Sequence, residues 1–121
     1  MAEKPRILVV DDDGPILLLM RSVLGQYGFD AVPASSGPQA IEEARRTTPD
    51  LILLDRNMPG MSGDETLQAL RAEPALVQTP VLILSGEPIE PAELHRLGAD
   101  GAVLKPFDVQ ALVETIRKHV R

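Results

Sequence analysis

The sequence has no cysteine and no tryptophan. The first absence excludes disulfides and thiolate metal centres, and it fits residence in the reducing cytoplasm. Aromatic residues are limited to Tyr27, Phe29 and Phe107, so the stacking platforms that bind unpaired bases are lacking. No apolar run approaches the roughly 18 residues of a membrane span. The first apolar run, Ile7-Leu8-Val9-Val10, is short and stops at acidic residues, so no signal peptide is expected. Positive charge is scarce: 12 Lys and Arg stand against 18 Asp and Glu, a net charge of −6. That balance argues against direct nucleic-acid binding by this domain. Internal repeats, linkers and low-complexity tracts are absent.

What remains is ordinary for one folded domain with a single core, expected to span residues 1–121: 44% of the residues are hydrophobic and 25% charged. Short β-branched or Leu-rich runs alternate with longer helical patterns. Strands are expected at residues 6–10, 30–34, 51–55, 81–84 and 102–104. Helices are expected at 15–27, 38–47, 63–72, 91–97 and 108–119. Gly28 and Gly98 sit where helices should stop, and Ser36 and Asp108 can cap helix starts. Ile16, Leu19, Met20, Val23 and Tyr27 mark one face of the first helix. Val109, Leu112, Val113, Ile116 and Val120 mark one face of the last. Five βα units with apolar strands imply an α/β fold, a parallel sheet covered on both faces.

Three apolar runs end in charge. Ile7-Leu8-Val9-Val10 runs into Asp11-Asp12-Asp13, Leu51-Ile52-Leu53-Leu54 into Asp55, and Val103-Leu104 into Lys105-Pro106. Ligands of such sheets bind at the carboxyl ends of the strands. Asp11, Asp12, Asp55, Ser85 and Lys105 all fall there, a layout suited to a divalent cation and a phosphoryl group. Adjacent acids repel at neutral pH, so a nearby cation accounts for Asp11 and Asp12, whereas Asp13 is better read as a helix N-cap. His95 and His119 read as solvated surface residues. Lys105-Pro106 is a candidate cis peptide, since X-Pro bonds are the routine place for one.

Taken in order, four pieces carry a resemblance: Ile7 to Asp13, Leu54-Asp55-Arg56-Asn57-Met58-Pro59-Gly60-Met61-Ser62-Gly63, Leu84-Ser85-Gly86 and Lys105-Pro106-Phe107. Together the chain resembles the receiver domains of two-component response regulators. The resemblance implies a doubly wound, flavodoxin-like sheet in the order 2-1-3-4-5 with five helices. It implies that Asp55 accepts a phosphoryl group from a histidine kinase or histidine phosphotransfer protein, and that the domain is a switch rather than a turnover enzyme. It further implies Mg²⁺, with Mn²⁺ as a substitute, held by Asp12 and Asp55, by Asp11 through water, and by the Asn57 backbone carbonyl. Lys105 and Ser85 would contact the phosphoryl oxygens, and Asn57 and Glu87 would tune dephosphorylation. A downstream effector and a phosphorylation-dependent homodimer are the further partners it admits, with no membrane partner.

Departures from the family pattern are specific. Ala102 stands where many members carry an aromatic switch residue, so signalling is expected to use backbone or helix shifts. The segment from Ser85 to Lys105 is shorter than the family's, and Pro88 and Pro91 predict a short fourth helix. Ala111 and Thr115 replace charged dimer contacts of DNA-binding members. Arg121 is expected to close the last helix, and the sequence fits both a stand-alone receiver and a piece of a longer regulator. Two other readings stay open. One is a degenerate receiver acting as a constitutive interaction module. The other is a haloacid-dehalogenase-like phosphatase using Asp11 in Asp11-Asp12-Asp13-Gly14, although Pro15 departs from that pattern.

Overall fold

The computed structural model describes residues 4–120; Arg121, expected to close the last helix, lies outside them. Five strands are present: β1 (Arg6–Val10), β2 (Asp30–Ala34), β3 (Leu51–Asp55), β4 (Val81–Ser85) and β5 (Gly101–Leu104). Five helices alternate with them: α1 (Gly14–Gln26), α2 (Gly37–Thr47), α3 (Gly63–Arg71), α4 (Pro91–Leu97) and α5 (Val109–His119). All strand pairs are parallel, and the sheet order is β2-β1-β3-β4-β5. The chain reverses its direction of winding between β1 and β3. That switch point is where a doubly wound sheet opens a crevice.

Strand β3 and strand β4 are buried at every position, as the run Leu51-Ile52-Leu53-Leu54 predicts. Their side chains alternate between two cores. Ile7, Val9, Leu51 and Leu53 pack with α1 and α5, whereas Leu8, Val10, Ile52 and Leu54 pack with α2 and α3. Each such buried side chain contributes about 1.5–3 kcal/mol of transfer free energy. The edges are less complete than the apolar pattern suggests. On β5 only Val103 packs inward, and Ala102 and Leu104 are exposed. Pro33 sits in β2, an edge strand, where its missing N–H costs no central ladder bond.

The helix starts follow their caps. Asp13, Ser36, Ser62 and Asp108 each accept a hydrogen bond from a backbone amide three residues on. Gly98 adopts φ 84° and ends α4, a conformation that side chains with a Cβ resist. Four details correct the sequence expectation. Ser85 belongs to β4, and Gly101 to β5. A 3-10 turn, Pro74–Leu76, precedes β4. The buried face of α1 is Leu17, Met20 and Leu24, while Leu19 is 60% exposed and Tyr27 caps the helix end. Because Ile16 to Met20 is apolar without interruption, periodicity does not choose the face; packing against β1, β2 and α5 does.

Candidate functional site

Backbone pairing continues past three strand ends and fixes the site. The Asp11 amide donates to Ala34 O at 3.1 Å, the Arg56 amide to Leu84 O at 3.0 Å, and the Lys105 amide to Ser85 O at 2.7 Å. Asp11, Asp55 and Lys105 are thereby held on one edge by the sheet itself. The Lys105–Pro106 bond is cis.

Three carboxylates converge there. One oxygen from each of Asp11, Asp12 and Asp55 lies within 4.8 Å of the others. Asp11 is 1% and Asp55 5% exposed, while Asp12 faces solvent. In each buried carboxylate Oδ1 accepts from a backbone amide: Asp13 N at 3.0 Å for Asp11, and Asn57 N at 3.2 Å for Asp55. Oδ2 of each faces Lys105, whose Nζ lies 3.5 Å from Asp11 and 3.3 Å from Asp55. Burial pushes the Asp11 carboxyl above its ordinary range. The Asp13 amide opposes that shift, Asp55 adds to it and Lys105 opposes it. One lysine against three acids leaves the cluster short of positive charge. An all-oxygen donor set with that deficit fits a hard divalent cation such as Mg²⁺.

Beside the cluster lies a polar cleft of about 670 Å³, lined by Arg56, Asn57, Ser85, Glu87 and Glu93 among others. The Ser85 hydroxyl is not turned to the carboxylates. It donates to Glu87 O at 2.7 Å and accepts from Glu87 N at 3.1 Å. Ala102 lies apart, in a groove of about 290 Å³ with Leu104, Phe107, Ala111 and Thr115. His95 is exposed, as expected.

Two residues of the motif had no role assigned from the sequence. At Gly63 a Cβ would stand 2.4 Å from Asp55 O and 2.6 Å from Arg56 Cα. Only glycine lets the start of α3 press against the backbone of Asp55, and a glycine right after the Ser62 cap is the signal that could have shown it. Arg56 pairs with Asp64 at 3.2 Å and with Glu93 at 2.8 Å. Its partners sit on two later helices, so no local pattern reveals them.

The model of the response regulator receiver domain matches residues 7–117. The chain belongs to this family. Receiver domains are the signalling switches of two-component systems, not turnover enzymes. The chain is 35% identical to the DNA-binding response regulator MtrA of Mycolicibacterium paratuberculosis over 98% of its own length and 52% of that protein. It is 31% identical to sporulation initiation phosphotransferase F of Bacillus subtilis, covering 95% of the chain and 93% of that protein. The chemotaxis protein CheY4 of Vibrio cholerae superposes with a TM-score of 0.90 at 30% identity, over 97% of this chain and 99% of that one. The chain therefore spans about half the length of the DNA-binding relatives it matches and nearly all of the other two chains. DNA-binding regulators resemble it in spite of Ala111 and Thr115.

Proposed function

We propose that Asp55 is the phospho-acceptor of a single receiver domain formed by the whole chain, and that the donor is a phosphohistidine on a histidine kinase or histidine phosphotransfer protein. The observation that carries this reading is the cluster of Asp11, Asp12 and Asp55 with Lys105 within 3.5 Å of two of them. A carboxylate oxygen of Asp55 attacks phosphorus and the P–N bond breaks. Its electron pair returns to the imidazole nitrogen, and the product is an acyl phosphate. Catalysis is positioning and charge compensation.

Asp11, Asp12, Asp55 and the Asn57 backbone carbonyl would hold Mg²⁺, or Mn²⁺ in its place. When bound, the cation neutralises charge building on the phosphoryl oxygens. Lys105 supplies the protein's own positive charge, and its ammonium turns from Asp55 to the incoming phosphoryl group. Ser85 donates to the same group after leaving Glu87. Asn57 and Glu87 flank the cleft through which water reaches the acyl phosphate, and so tune its lifetime. With Ala102 in place of an aromatic, phosphorylation shifts the population of backbone and helix positions. The readers of that shift are an effector domain or protein, or a second phosphorylated copy.

The test is incubation with Mg²⁺ and acetyl phosphate, read by intact mass. The native chain should gain one phosphoryl group and Asp55→Asn none, with the fold kept. Uptake by the variant would place the acceptor elsewhere. Lys105→Ala should still be phosphorylated but respond weakly. A constitutive interaction module is the second reading, favoured by the exposed Ala102 and the engaged Ser85 hydroxyl. It predicts a partner that binds native and Asp55→Asn protein equally.

A further inference from the structure

Helix α4 has seven residues, none of them buried, and its N-cap residue Glu90 makes no side-chain cap. Leu94 and Leu97 only partly pack on the core beneath. Its far end is tied by Arg71, whose Nε donates to Gly98 O at 2.9 Å. Among the described residues, one ion pair joins α4 itself to another part of the fold. It is Glu93 with Arg56, at 2.8 Å. The contact of Glu93 with Arg96, at 3.7 Å, stays within the helix.

Arg56 is the residue after Asp55. Its backbone cannot follow a change in the site, because its amide is held by Leu84 O and its carbonyl accepts from Gly63 N at 2.9 Å. Its side chain is 26% exposed and lines the polar cleft with Ser85 and Asn57. The guanidinium is shared between two helices. Nε and one terminal nitrogen each lie 3.2 Å from an oxygen of Asp64 on α3, and the other terminal nitrogen meets Glu93 on α4. Only the second of these contacts reaches a loosely packed element.

We infer that the Arg56–Glu93 ion pair is a latch that carries occupation of Asp55 to α4: the phosphoryl group draws the guanidinium off Glu93 and frees the first turn of the helix. The inference rests on Asp55 being the acceptor. The physical ground is competition. A phosphoryl group brings about −1.5 to −2 charge and three acceptor oxygens, and guanidinium matches such oxygens in bidentate fashion. Glu93 offers one half-buried carboxylate, a contact that solvent and salt already weaken. The latch gives the site a route to α4 that needs no aromatic at Ala102.

The experiment is amide NMR of the full chain with Mg²⁺, before and after acetyl phosphate, with intact mass recorded on the same samples. The variants are Glu93→Gln and Arg56→Gln. Before phosphorylation, their amides at 92–97 should already lie displaced towards the positions of the phosphorylated native protein. On phosphorylation those amides should then move less than half as far as in the native chain, while phosphoryl uptake by Glu93→Gln matches it. Arg56→Lys, which keeps the charge, should restore part of the response. Full native-sized movement of α4 in Glu93→Gln overturns the latch alone, as does native phosphorylation that leaves α4 unmoved. Absence of phosphoryl uptake by the native chain overturns the reading of Asp55 and the latch with it.

Discussion

Helices α3 and α4 follow neighbouring strands and lie over the same core, yet they are anchored by opposite means. Helix α3 buries Gly63, Thr66, Leu67 and Leu70 and opens with a complete capping box between Ser62 and Glu65. Its first residue touches the backbone of Asp55. Helix α4 buries nothing fully and is held by arginine side chains at its two ends. Stability is thus unevenly distributed around Asp55. The helix that positions the site is rigidly packed, and the helix beyond it rests on contacts that a change of charge can undo. Such divisions are how a small domain keeps its fold while one element moves.

The largest contrast should come from truncating equivalent leucines. Leu67→Ala in α3 removes a fully buried side chain and should cost about 2–5 kcal/mol in denaturant unfolding. Leu94→Ala in α4 should cost less than half as much; equal losses would erase the distinction between the helices. Mg²⁺ should act at the anchored end. At a hundredfold excess over its dissociation constant it should add about 2.7 kcal/mol to native stability. Asp55→Asn should lose most of that gain, as a thermal melt would show. Ser62→Ala breaks the capping box and should cost about 1 kcal/mol, whereas Glu90→Ala, which removes no cap bond, should be close to neutral.

The smallest effect is a pH dependence. Burial, reinforced by Asp55, raises the Asp11 carboxyl above its ordinary 3.8. The metal-free folded state then binds the proton more tightly than the unfolded chain does. Asp11 therefore costs no stability below pH 3.8 and progressively more as pH rises through the raised value. Without Mg²⁺, Asp11→Asn should gain on the native protein over that window and keep its advantage at neutral pH. A constant difference across the window would mean that Asp11 is not strained by its surroundings.

Much of this was legible in the residues. Strands β1 and β3 and helix α4 have the bounds the patterns predict, because Pro, Gly and capping residues mark chain reversals chemically. Asp11, Asp12, Asp55 and Lys105 stood out because apolar runs that end in charge must surface at one edge of a parallel sheet. The face of α1 was not legible. Its apolar stretch from Ile16 to Met20 offers several equivalent stripes, and Leu17 was buried in preference to Leu19 by the neighbours it met.

Linear order was enough for the fold class and the acidic cluster, which follow from hydrophobic period and strand punctuation, both local properties. The strand order and its switch point were implied by the family resemblance. The partners of Arg56, the turning of the Ser85 hydroxyl onto Glu87 and the loose seating of α4 were decided by tertiary structure. They depend on distances between residues far apart along the chain, and such distances exist only after the sheet has brought its strand ends together.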